Sequence, residues 1–268
     1  MIISGSPAIF KVGLLDILFG SVWAPTAATP SYGILYIILT SIVGTALAIL
    51  IGVPIGILTA VFLAEAAPKK LVAVVKPAVE LLAGIPSVIY GLVGILVLNP
   101  VMYKLELFLF QNSKTHQFTG GANLISAVIV LAIMILPTVI NISESALKAV
   151  PQNLKSASLA LGASHIQTIF KVMIPAAKSG ILAGVILGVG RAIGETMAVI
   201  MIAGNQPRLV NNILLGVRTL TGNIVIEMGY ATGLHREALI ATGVVLFVFI
   251  LIINLSLSLL NRRAEHAN

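Results

Sequence analysis

The chain contains no cysteine and very few charged residues. Without a thiol among its 268 residues it forms no disulfide, and it offers neither a thiolate nucleophile nor a cysteine ligand for a metal. Charged residues make up 9% of the sequence and hydrophobic residues 58%, whereas soluble domains carry about 25% charged residues. These proportions predict an integral membrane protein, all-α in class and built as a single helical domain.

The sequence also lacks the patterns of nucleotide-binding and catalytic sites. No G-x4-G-K-[ST] segment is present, so the chain does not bind ATP in the P-loop manner. No serine nucleophile elbow occurs and no apolar segment carries paired carboxylates, which argues against an enzyme. The four histidines, at 116, 165, 235 and 266, have no ligand spacing, so neither a metal site nor a cofactor is expected.

Five apolar segments are long enough to cross a bilayer, for which about 20 residues suffice. They cover residues 32–63, 84–102, 123–142, 181–202 and 238–260. The mixed segment 1–31 is predicted to be an external, interfacial segment, and it lacks the basic start and apolar core of a cleavable signal peptide. The sequence therefore predicts a polytopic helical membrane protein with about five transmembrane helices.

Basic residues indicate how these spans are oriented. Three segments on one predicted side hold nine Lys or Arg and three on the other hold six: 66–80, 148–178 and 261–268 against 1–31, 104–121 and 204–237. Because cytoplasmic loops carry the excess of basic residues, we expect the N-terminus outside and the C-terminus inside. The net charge of +7 is then explained by basic cytoplasmic loops, and no nucleic-acid partner is expected.

Two opposite charges, Arg191 and Glu195, lie inside the apolar segment 181–202. A charge at mid-membrane costs about 2.5–3.5 kcal/mol even on the lenient insertion scale, so a chain seldom carries one without a use. A spacing of four residues brings both side chains to one helix face. A guanidinium stays protonated and matches phosphate oxygens with forked donors. Two interpretations stay open: an oxyanion displaces or shares Arg191 during transport, or the two residues form a permanent structural ion pair.

Pro86, flanked by Gly84 and Gly91, predicts an interrupted helix start in the second span. Broken helices expose backbone donors near the substrate pathways of transporters. Ser87 and Tyr90 are therefore candidates for lining such a pathway. The alternative for Ser87 is ordinary capping of the helix.

Three glycines, Gly180, Gly184 and Gly188, recur at intervals of four residues. Small residues at this spacing let helix backbones approach closely. The partner helix belongs either to a second subunit or to this chain.

The segment 150–175 predicts two short amphipathic helices joined by a turn. Leu154, Ala157 and Leu161 repeat on one face of the first helix, and Gly162 allows a sharp turn. Such a pair of helices forms either a docking surface for a partner or an ordinary packed loop.

The second of these helices has a clear predicted start. Ser164 and Gln167 have the spacing of a capping box. Its apolar face is predicted to consist of Ile166, Ile169, Phe170 and Met173, with Pro175 ending the helix.

Several of these residues resemble the permease subunits of ABC importers. Gly162, nine residues and then Val172-Met-Ile-Pro175 match the G-x9-I-x-L-P core of their cytoplasmic loop, and Ser156-Ala-Ser158 stands where the family has Glu-Ala-Ala. Within that superfamily, Gly84-Ile-Pro-Ser-Val-Ile-Tyr-Gly91 and Gly190-Arg-Ala-Ile-Gly-Glu-Thr-Met-Ala-Val199, followed by Ala203-Gly-Asn205, resemble one permease subunit of the phosphate-specific transporter. The resemblance covers about residues 8–262.

The resemblance implies a permease of the cytoplasmic (inner or plasma) membrane that moves inorganic phosphate. Its implied partners are a second homologous permease, two copies of a cytoplasmic ATPase, an extracytoplasmic phosphate-binding protein and membrane lipid. Residues 32–262 would form the permease domain and 263–268 a cytoplasmic tail. Family members usually carry a further transmembrane helix before the segment that begins here, so the resemblance has this chain start in the first external loop.

The resemblance also implies two sets of functional residues. The substrate pathway would be lined by Arg191, Glu195, Thr196, Ser87 and Tyr90. The surface that docks the ATPase would include Ala157, Leu161, Gly162, Ile166, Phe170 and Pro175.

Three other functions remain compatible with the sequence. A permease for sulfate or molybdate shares the Arg-x-x-Gly-Glu core. An energy-independent channel or carrier would work without an ATPase. A membrane subunit that senses phosphate would respond to occupancy without transporting the anion.

Overall fold

The computed structural model describes residues 2–113 and 116–266, without the side chains of residues 2–6, 257, 258 and 260–266. Over this part the chain is helical except for loops and one short hairpin. The α-helices are α1 (Ile2–Val12), α2 (Leu14–Phe19), α3 (Leu35–Val61), α4 (Lys69–Gly84), α5 (Ser87–Val93), α6 (Asn99–Phe110), α7 (Leu124–Lys148), α8 (Gln152–Ala160), α9 (His165–Thr168), α10 (Ile174–Ala176), α11 (Lys178–Gly194), α12 (Met197–Ile202), α13 (Leu220–Met228) and α14 (Gly233–His266). The predicted all-α class is confirmed.

The remaining regular elements are a hairpin and three π-helical segments. Strands β1 (Trp23–Ala24) and β2 (Ser31–Tyr32) are antiparallel, with Trp23 opposite Tyr32. The π-helical segments are Phe62–Ala66, which extends α3, Gly94–Leu98, which joins α5 to α6, and Ile169–Met173, which joins α9 to α10.

Within the described residues, four helices are long and apolar enough to cross a membrane: Leu35–Ala66, Ser87–Phe110, Leu124–Lys148 and Gly233–Ser256. A fifth span arises if the pair His165–Ala176 and Lys178–Gly194, bent by 70°, counts as one. The expectation of a continuous helix over 181–202 was wrong, because α11 ends at Gly194 and α12 begins only at Met197. The second span runs on to Phe110, beyond the predicted end at 102, since apolar residues continue along α6.

Contacts between Cα atoms divide the chain into two compact units. The first comprises Met1–Ala48, Pro86–Leu131 and Ile193–Ile252. Its core gathers Trp23 and Tyr32 of the hairpin with residues of α1, α2, α3, α13 and α14, such as Ile37 and Leu239. The N-terminal segment is therefore packed into this unit.

The second unit comprises Ile49–Ile85, Ala132–Ala192 and Ile253–Asn268. One of its cores joins the end of α3 to α7 and to the segment after α9, through residues such as Val61, Leu147 and Met173. A smaller core brings Leu63, Val79 and Ile140 together.

Glycines in the second unit allow close helix packing. A Cβ on Gly52 of α3 would lie 2.6 Å from Ile135 Cδ1 of α7. A Cβ on Gly184 of α11 would lie 3.1 Å from Ile142 Cβ, which also belongs to α7. Gly180 and Gly188 likewise face Ala146 and Val139 of α7. The glycine stripe of α11 therefore packs within this chain, and α3 continues through Pro54 without ending.

Candidate functional site

Helices α5 and α12 carry the two most distinctive motifs, and they pack against each other. The contact is made at Gly91, where a Cβ would lie 3.1 Å from Ala198 Cα and 2.6 Å from Met201 Sδ. A Cβ there would be closer to Ala198 than ordinary van der Waals contact, so glycine allows the two helices to approach this closely. The packing brings the helix with Ser87 and Tyr90 next to the helix that follows Thr196.

The start of α5 follows a sharp break in the chain. Helix α4 ends at Gly84, and Pro86 takes an extended conformation as the N-cap residue of α5. Ser87 is the first residue inside the helix, and the cap has no side-chain hydrogen bond. The interrupted helix start is confirmed, whereas capping by Ser87 is not observed. Ser87 and Tyr90 are both half-buried.

Glu195 lies between two helices and caps the second of them. Its Oε1 accepts hydrogen bonds from the N–H of Thr196, at 3.0 Å, and of Ala198, at 3.1 Å. Thr196 is the N-cap residue of α12 and Ala198 lies in its first turn, where the N–H groups have no partner within the helix. The backbone oxygen of Glu195 also accepts a hydrogen bond of 3.1 Å from the Thr221 hydroxyl of α13.

Arg191 lies in the last turn of α11 and is half-buried. The expected geometry, two charges one turn apart on a continuous helix, does not occur, since Glu195 follows the helix end at Gly194. Among the residues that the structure describes, no ion pair involves Arg191 or Glu195. The Glu195 carboxylate instead binds backbone amides. A role of either residue in the substrate pathway stays a prediction.

The other end of α12 is held by Asn205. Its side-chain amide donates to the Ile200 carbonyl at 2.7 Å, and its backbone has a φ of 54°, which non-glycine residues seldom adopt. Arg218 Nε donates to the Asn205 carbonyl at 2.9 Å. Helix α12 is therefore fixed by side chains at both ends.

Arg218 belongs to a buried polar network around Glu227 that the sequence did not predict. Arg218 Nη1 binds Glu227 Oε1, while Trp23 Nε1 and His235 Nε2 lie 3.0 and 2.8 Å from Oε2. Trp23 and Glu227 are 204 positions apart, so no local spacing points to this contact. A signal was available in Trp23, the only tryptophan, because a buried indole N–H needs an acceptor.

The expected docking segment has the predicted helix–turn–helix form. Gly162, with a φ of 87°, makes the turn after α8. The capping box is confirmed: Ser164 Oγ accepts from Gln167 N–H at 3.2 Å, and Gln167 Oε1 accepts from Ser164 N–H at 2.9 Å. Pro175 does not end the helix, since α10 continues to Ala176 and the chain bends after it.

The apolar side chains of this segment divide into an exposed and a buried set. Leu161, Ile166 and Phe170 are 90%, 70% and 53% exposed. Ala157, Gly162 and Pro175 are exposed as well. Ile169 and Met173, which the sequence assigned to the same face as Ile166 and Phe170, are instead buried in the core with Leu147 and Val150. Both sets meet in the π-helical turn Ile169–Met173, where Ile169 and Met173 are buried and Phe170 is exposed.

Two contacts attach α8 to its neighbours. Lys155 Nζ forms an ion pair with Glu65 Oε2 in the π-helical end of the first span, and the Glu65 side chain is 5% exposed. The Ser158 and Thr168 hydroxyls lie 2.9 Å apart, which joins α8 to α9. Neither contact was predicted from the sequence.

The described part of the chain contains no group of three or more His, Asp or Glu side chains that could hold a metal. The candidate site is thus a helix pair with a fixed carboxylate, together with a separate exposed apolar surface.

Comparison with known proteins gives consistent matches. Residues 52–266 match the model of the family described as "Binding-protein-dependent transport system inner membrane component". The "Probable ABC transporter permease protein YqgH" of Bacillus subtilis is 40% identical, over 90% of this chain and 77% of its own length. The "Phosphate transport system permease protein PstC" of Mesorhizobium japonicum is 37% identical, over 86% of this chain and 73% of its own length.

Solved structures support the fold. A chain of the MetNI methionine ABC transporter has a TM-score of 0.63 and 20% identity, covering 86% of this chain and 95% of its own. A chain of a bacterial alginate ABC transporter has a TM-score of 0.68 and 17% identity, covering 98% of this chain and 87% of its own.

Proposed function

This chain belongs to the family of binding-protein-dependent transport system inner membrane components, and we propose that it is the permease subunit of an ATP-driven importer of inorganic phosphate. The substrate is supported by relatives named as phosphate transport permeases, which are 32–37% identical over most of this chain. The permease itself is no enzyme, and ATP is hydrolysed in a separate ATPase subunit.

The observation that carries this proposal is the packing of α5 on α12 at Gly91. This contact joins the segment Gly84–Gly91 to the segment Gly190–Val199, the two sequences that resemble phosphate permeases. The pathway is lined by Ser87 and Tyr90 from α5, Thr196 before α12, and Arg191 and Glu195 of the charged motif. These five residues are a proposal that rests on the sequence motif.

Arg191 supplies the positive charge that an anion needs on an apolar route. Phosphate carries between one and two negative charges at neutral pH, and a guanidinium binds its oxygens with forked donors while staying charged. Glu195 has a different task, because its carboxylate holds the first turn of α12. Glu195 thereby keeps α12 in place while phosphate passes Arg191.

Partner subunits account for the remaining surfaces. The exposed side chains of Leu161, Ile166 and Phe170 form the docking surface for the cytoplasmic ATPase, with one copy bound here and a second copy on a homologous permease subunit. A phosphate-binding protein delivers the anion from the opposite side. ATP binding closes the two ATPases, and their movement reaches the permease through the docking segment around 150–175.

The orientation follows from the excess of basic residues on the side of the docking segment. The N-terminus with residues 1–31 lies outside the cytoplasmic membrane, residues 32–262 form the permease domain, and residues 263–268 lie inside. Positions 267 and 268 fall outside the described residues.

The test is ATP-dependent uptake of labelled phosphate by the reconstituted complex, with sulfate and molybdate as competitors. Phosphate uptake that excess sulfate and molybdate leave unchanged supports the proposal. The Arg191→Gln variant is expected to assemble with its partners and to lose uptake. Arg236→Gln, a change at an exposed arginine of α14, is the control. Wild-type uptake of sulfate or molybdate in place of phosphate would overturn the substrate, and full uptake by Arg191→Gln would overturn the role of Arg191.

A further inference from the structure

Two lysines from different helices meet at one buried carboxylate in the second unit. Lys76 Nζ of α4 lies 3.4 Å from Glu144 Oε1 of α7, and Lys148 Nζ, one turn further along α7, contacts the same oxygen atom. Since both ammonium groups contact one oxygen, they are close enough for a single tetrahedral anion to bridge them. Lys148 is the last residue of α7, at the end that the basic residues assign to the cytoplasm.

The burial of the three side chains differs sharply. The Glu144 side chain is 1% exposed, whereas those of Lys76 and Lys148 are 39% and 47% exposed. The carboxylate is therefore a fixed anchor beneath two accessible ammonium groups. One carboxylate and two ammonium groups give the cluster a net charge of one positive unit. Glu80, which is exposed one turn after Lys76, does not offset this charge, because it forms no ion pair among the described residues.

Glu144 also has an accepting position left. Its second oxygen, Oε2, is buried and has no hydrogen-bond partner in the described part of the chain, and the same holds for Asn141 Oδ1, one turn earlier on α7. A buried carboxylate oxygen without a donor is costly. The cluster thus combines two exposed donors with unfilled buried acceptors.

We propose that Lys76, Lys148 and Glu144 form a binding site for protonated phosphate at the cytoplasmic end of the permease, where the anion is held before release. The two ammonium groups turn from Glu144 to the phosphate oxygens. Glu144, uncovered by this exchange, accepts the O–H that phosphate keeps at neutral pH. Sulfate carries no proton at that pH and meets repulsion from the same carboxylate, so the site selects phosphate. This assignment rests on the proposed function.

Protection of the two amines from acylation tests the site directly. The transporter complex, which contains the full-length chain, is placed in phosphatidylcholine nanodiscs and treated with a reagent that acylates lysine amines. Phosphate, sulfate and chloride are compared at equal ionic strength, and each lysine is followed by mass spectrometry. With phosphate well above its dissociation constant, labelling of Lys76 and Lys148 is expected to fall by about tenfold, because only the unoccupied fraction reacts. Lys69 and Lys70, exposed at the start of α4, are the internal controls.

Variants test the part played by Glu144. In Glu144→Gln the carboxylate charge is gone, so sulfate is expected to protect both lysines as well as phosphate does. Glu80→Gln removes an exposed carboxylate of the same helix as Lys76 and should keep the selectivity of the wild type. Protection by sulfate equal to that by phosphate in the wild type, or no loss of selectivity in Glu144→Gln, would overturn the role of Glu144.

Two further outcomes would overturn the site itself. Equal labelling in phosphate and chloride would do so, even if phosphate uptake by the complex is normal, and the proposed function would then stand alone. Nanodiscs with phosphatidylglycerol provide the second control, because a lipid headgroup offers the same phosphate chemistry. Protection that requires phosphatidylglycerol and not free phosphate would assign the lysines to lipid. If the complex takes up another oxyanion while phosphate still protects both lysines, the proposed transport substrate is wrong and the phosphate site stands.

Discussion

Gly91 of α5 lies directly against Ala198 of α12, so that a Cβ on the glycine would come within 3.1 Å of the alanine Cα. This contact brings together two motifs that are more than 100 positions apart in the sequence. It also explains why a glycine stands in the middle of a short helix, where it otherwise weakens helical structure.

Gly91→Val should therefore separate α5 from α12. Overpacking costs about 1–3 kcal/mol, and we expect a lower unfolding temperature together with loss of phosphate uptake. Gly229→Val is the matched control, because a Cβ at Gly229 meets nothing within 4 Å, its φ is not positive and it lies outside both motifs. Thermal unfolding of the purified chain and uptake by the complex measure both effects. Normal uptake by Gly91→Val would show that close packing of these helices is dispensable.

Local features of this site could be predicted from the sequence, and distant ones could not. The capping box of Ser164 and Gln167 depends on two residues three positions apart, and it was found as predicted. The break at Glu195 was missed because the residues after it, Met197–Ile202, are as apolar as those before it. Hydropathy cannot separate one long span from two helices when a side chain caps the second.

Hydrogen-bond partners that lie far apart in the sequence could not be predicted either. Glu227 has its indole donor 204 positions away, and only the fold brings Trp23 to it. The sequence likewise indicated that Ile166 and Ile169 share an apolar face, since an α-helix places residues three apart together. In the structure Ile166 is exposed whereas Ile169, at the start of the π-helical turn, is buried, and this turn has no sequence pattern that distinguishes it from α-helix.

Replacement of Glu195 separates its capping role from its charge. Glu195→Gln keeps an oxygen for the amides of Thr196 and Ala198, whereas Glu195→Ala removes it. Loss of an N-terminal cap costs about 0.5–2 kcal/mol, so we expect Glu195→Ala to be the less stable variant and Glu195→Gln to retain most uptake. The stability of each variant is measured by chemical unfolding, and its transport by uptake of labelled phosphate. Complete loss of uptake in a stable Glu195→Gln would mean that the negative charge itself takes part in transport.

The network around Glu227 should contribute strongly to the stability of the first unit. Glu227→Ala removes the anionic partner of Arg218 and the acceptor of the Trp23 indole, and removal of one partner of a buried ion pair costs about 3–5 kcal/mol. We expect a large fall in unfolding temperature and increased proteolysis of the N-terminal hairpin. Arg236→Ala, at an exposed position of α14, should leave both unchanged. Wild-type resistance to protease in Glu227→Ala would contradict a structural role of this network.

If the exposed side chains of Leu161, Ile166 and Phe170 dock the ATPase, a change on this surface should impair assembly of the complex without impairing folding of the permease. Phe170→Asp places a charge on a side chain that is 53% exposed, so the permease should fold normally and lose its ATPase during purification. Met173→Asp, only three residues away but fully buried, should prevent folding instead. Co-purification of the ATPase and thermal unfolding of the permease distinguish the two results. Retention of the ATPase by Phe170→Asp would place the docking surface elsewhere.

The ion pair between Lys155 and Glu65 predicts how movement of the docking segment reaches the first long helix. Lys155 lies on α8, and the Glu65 carboxylate, almost fully buried, lies in the π-helical end of the span Leu35–Ala66. A salt bridge in such a place is a direct attachment between the proposed ATPase-docking segment and a membrane helix. Lys155→Ala should let the ATPase hydrolyse ATP with less phosphate moved per ATP, because docking itself is unaffected.

A double variant in which Glu65 and Lys155 exchange their charges provides the decisive test. Glu65→Lys alone brings two positive charges together in a buried place, whereas the double variant Glu65→Lys with Lys155→Glu restores opposite charges with the positions reversed. If the attachment carries the movement, the double variant recovers much of the phosphate transported per ATP that each single variant loses. Lys171→Ala, at an exposed lysine of the same segment, should not change that ratio. Equal ratios in the wild type and Lys155→Ala would reduce the pair to a packing contact, because a link that transmits force cannot be cut without lowering the yield of transport.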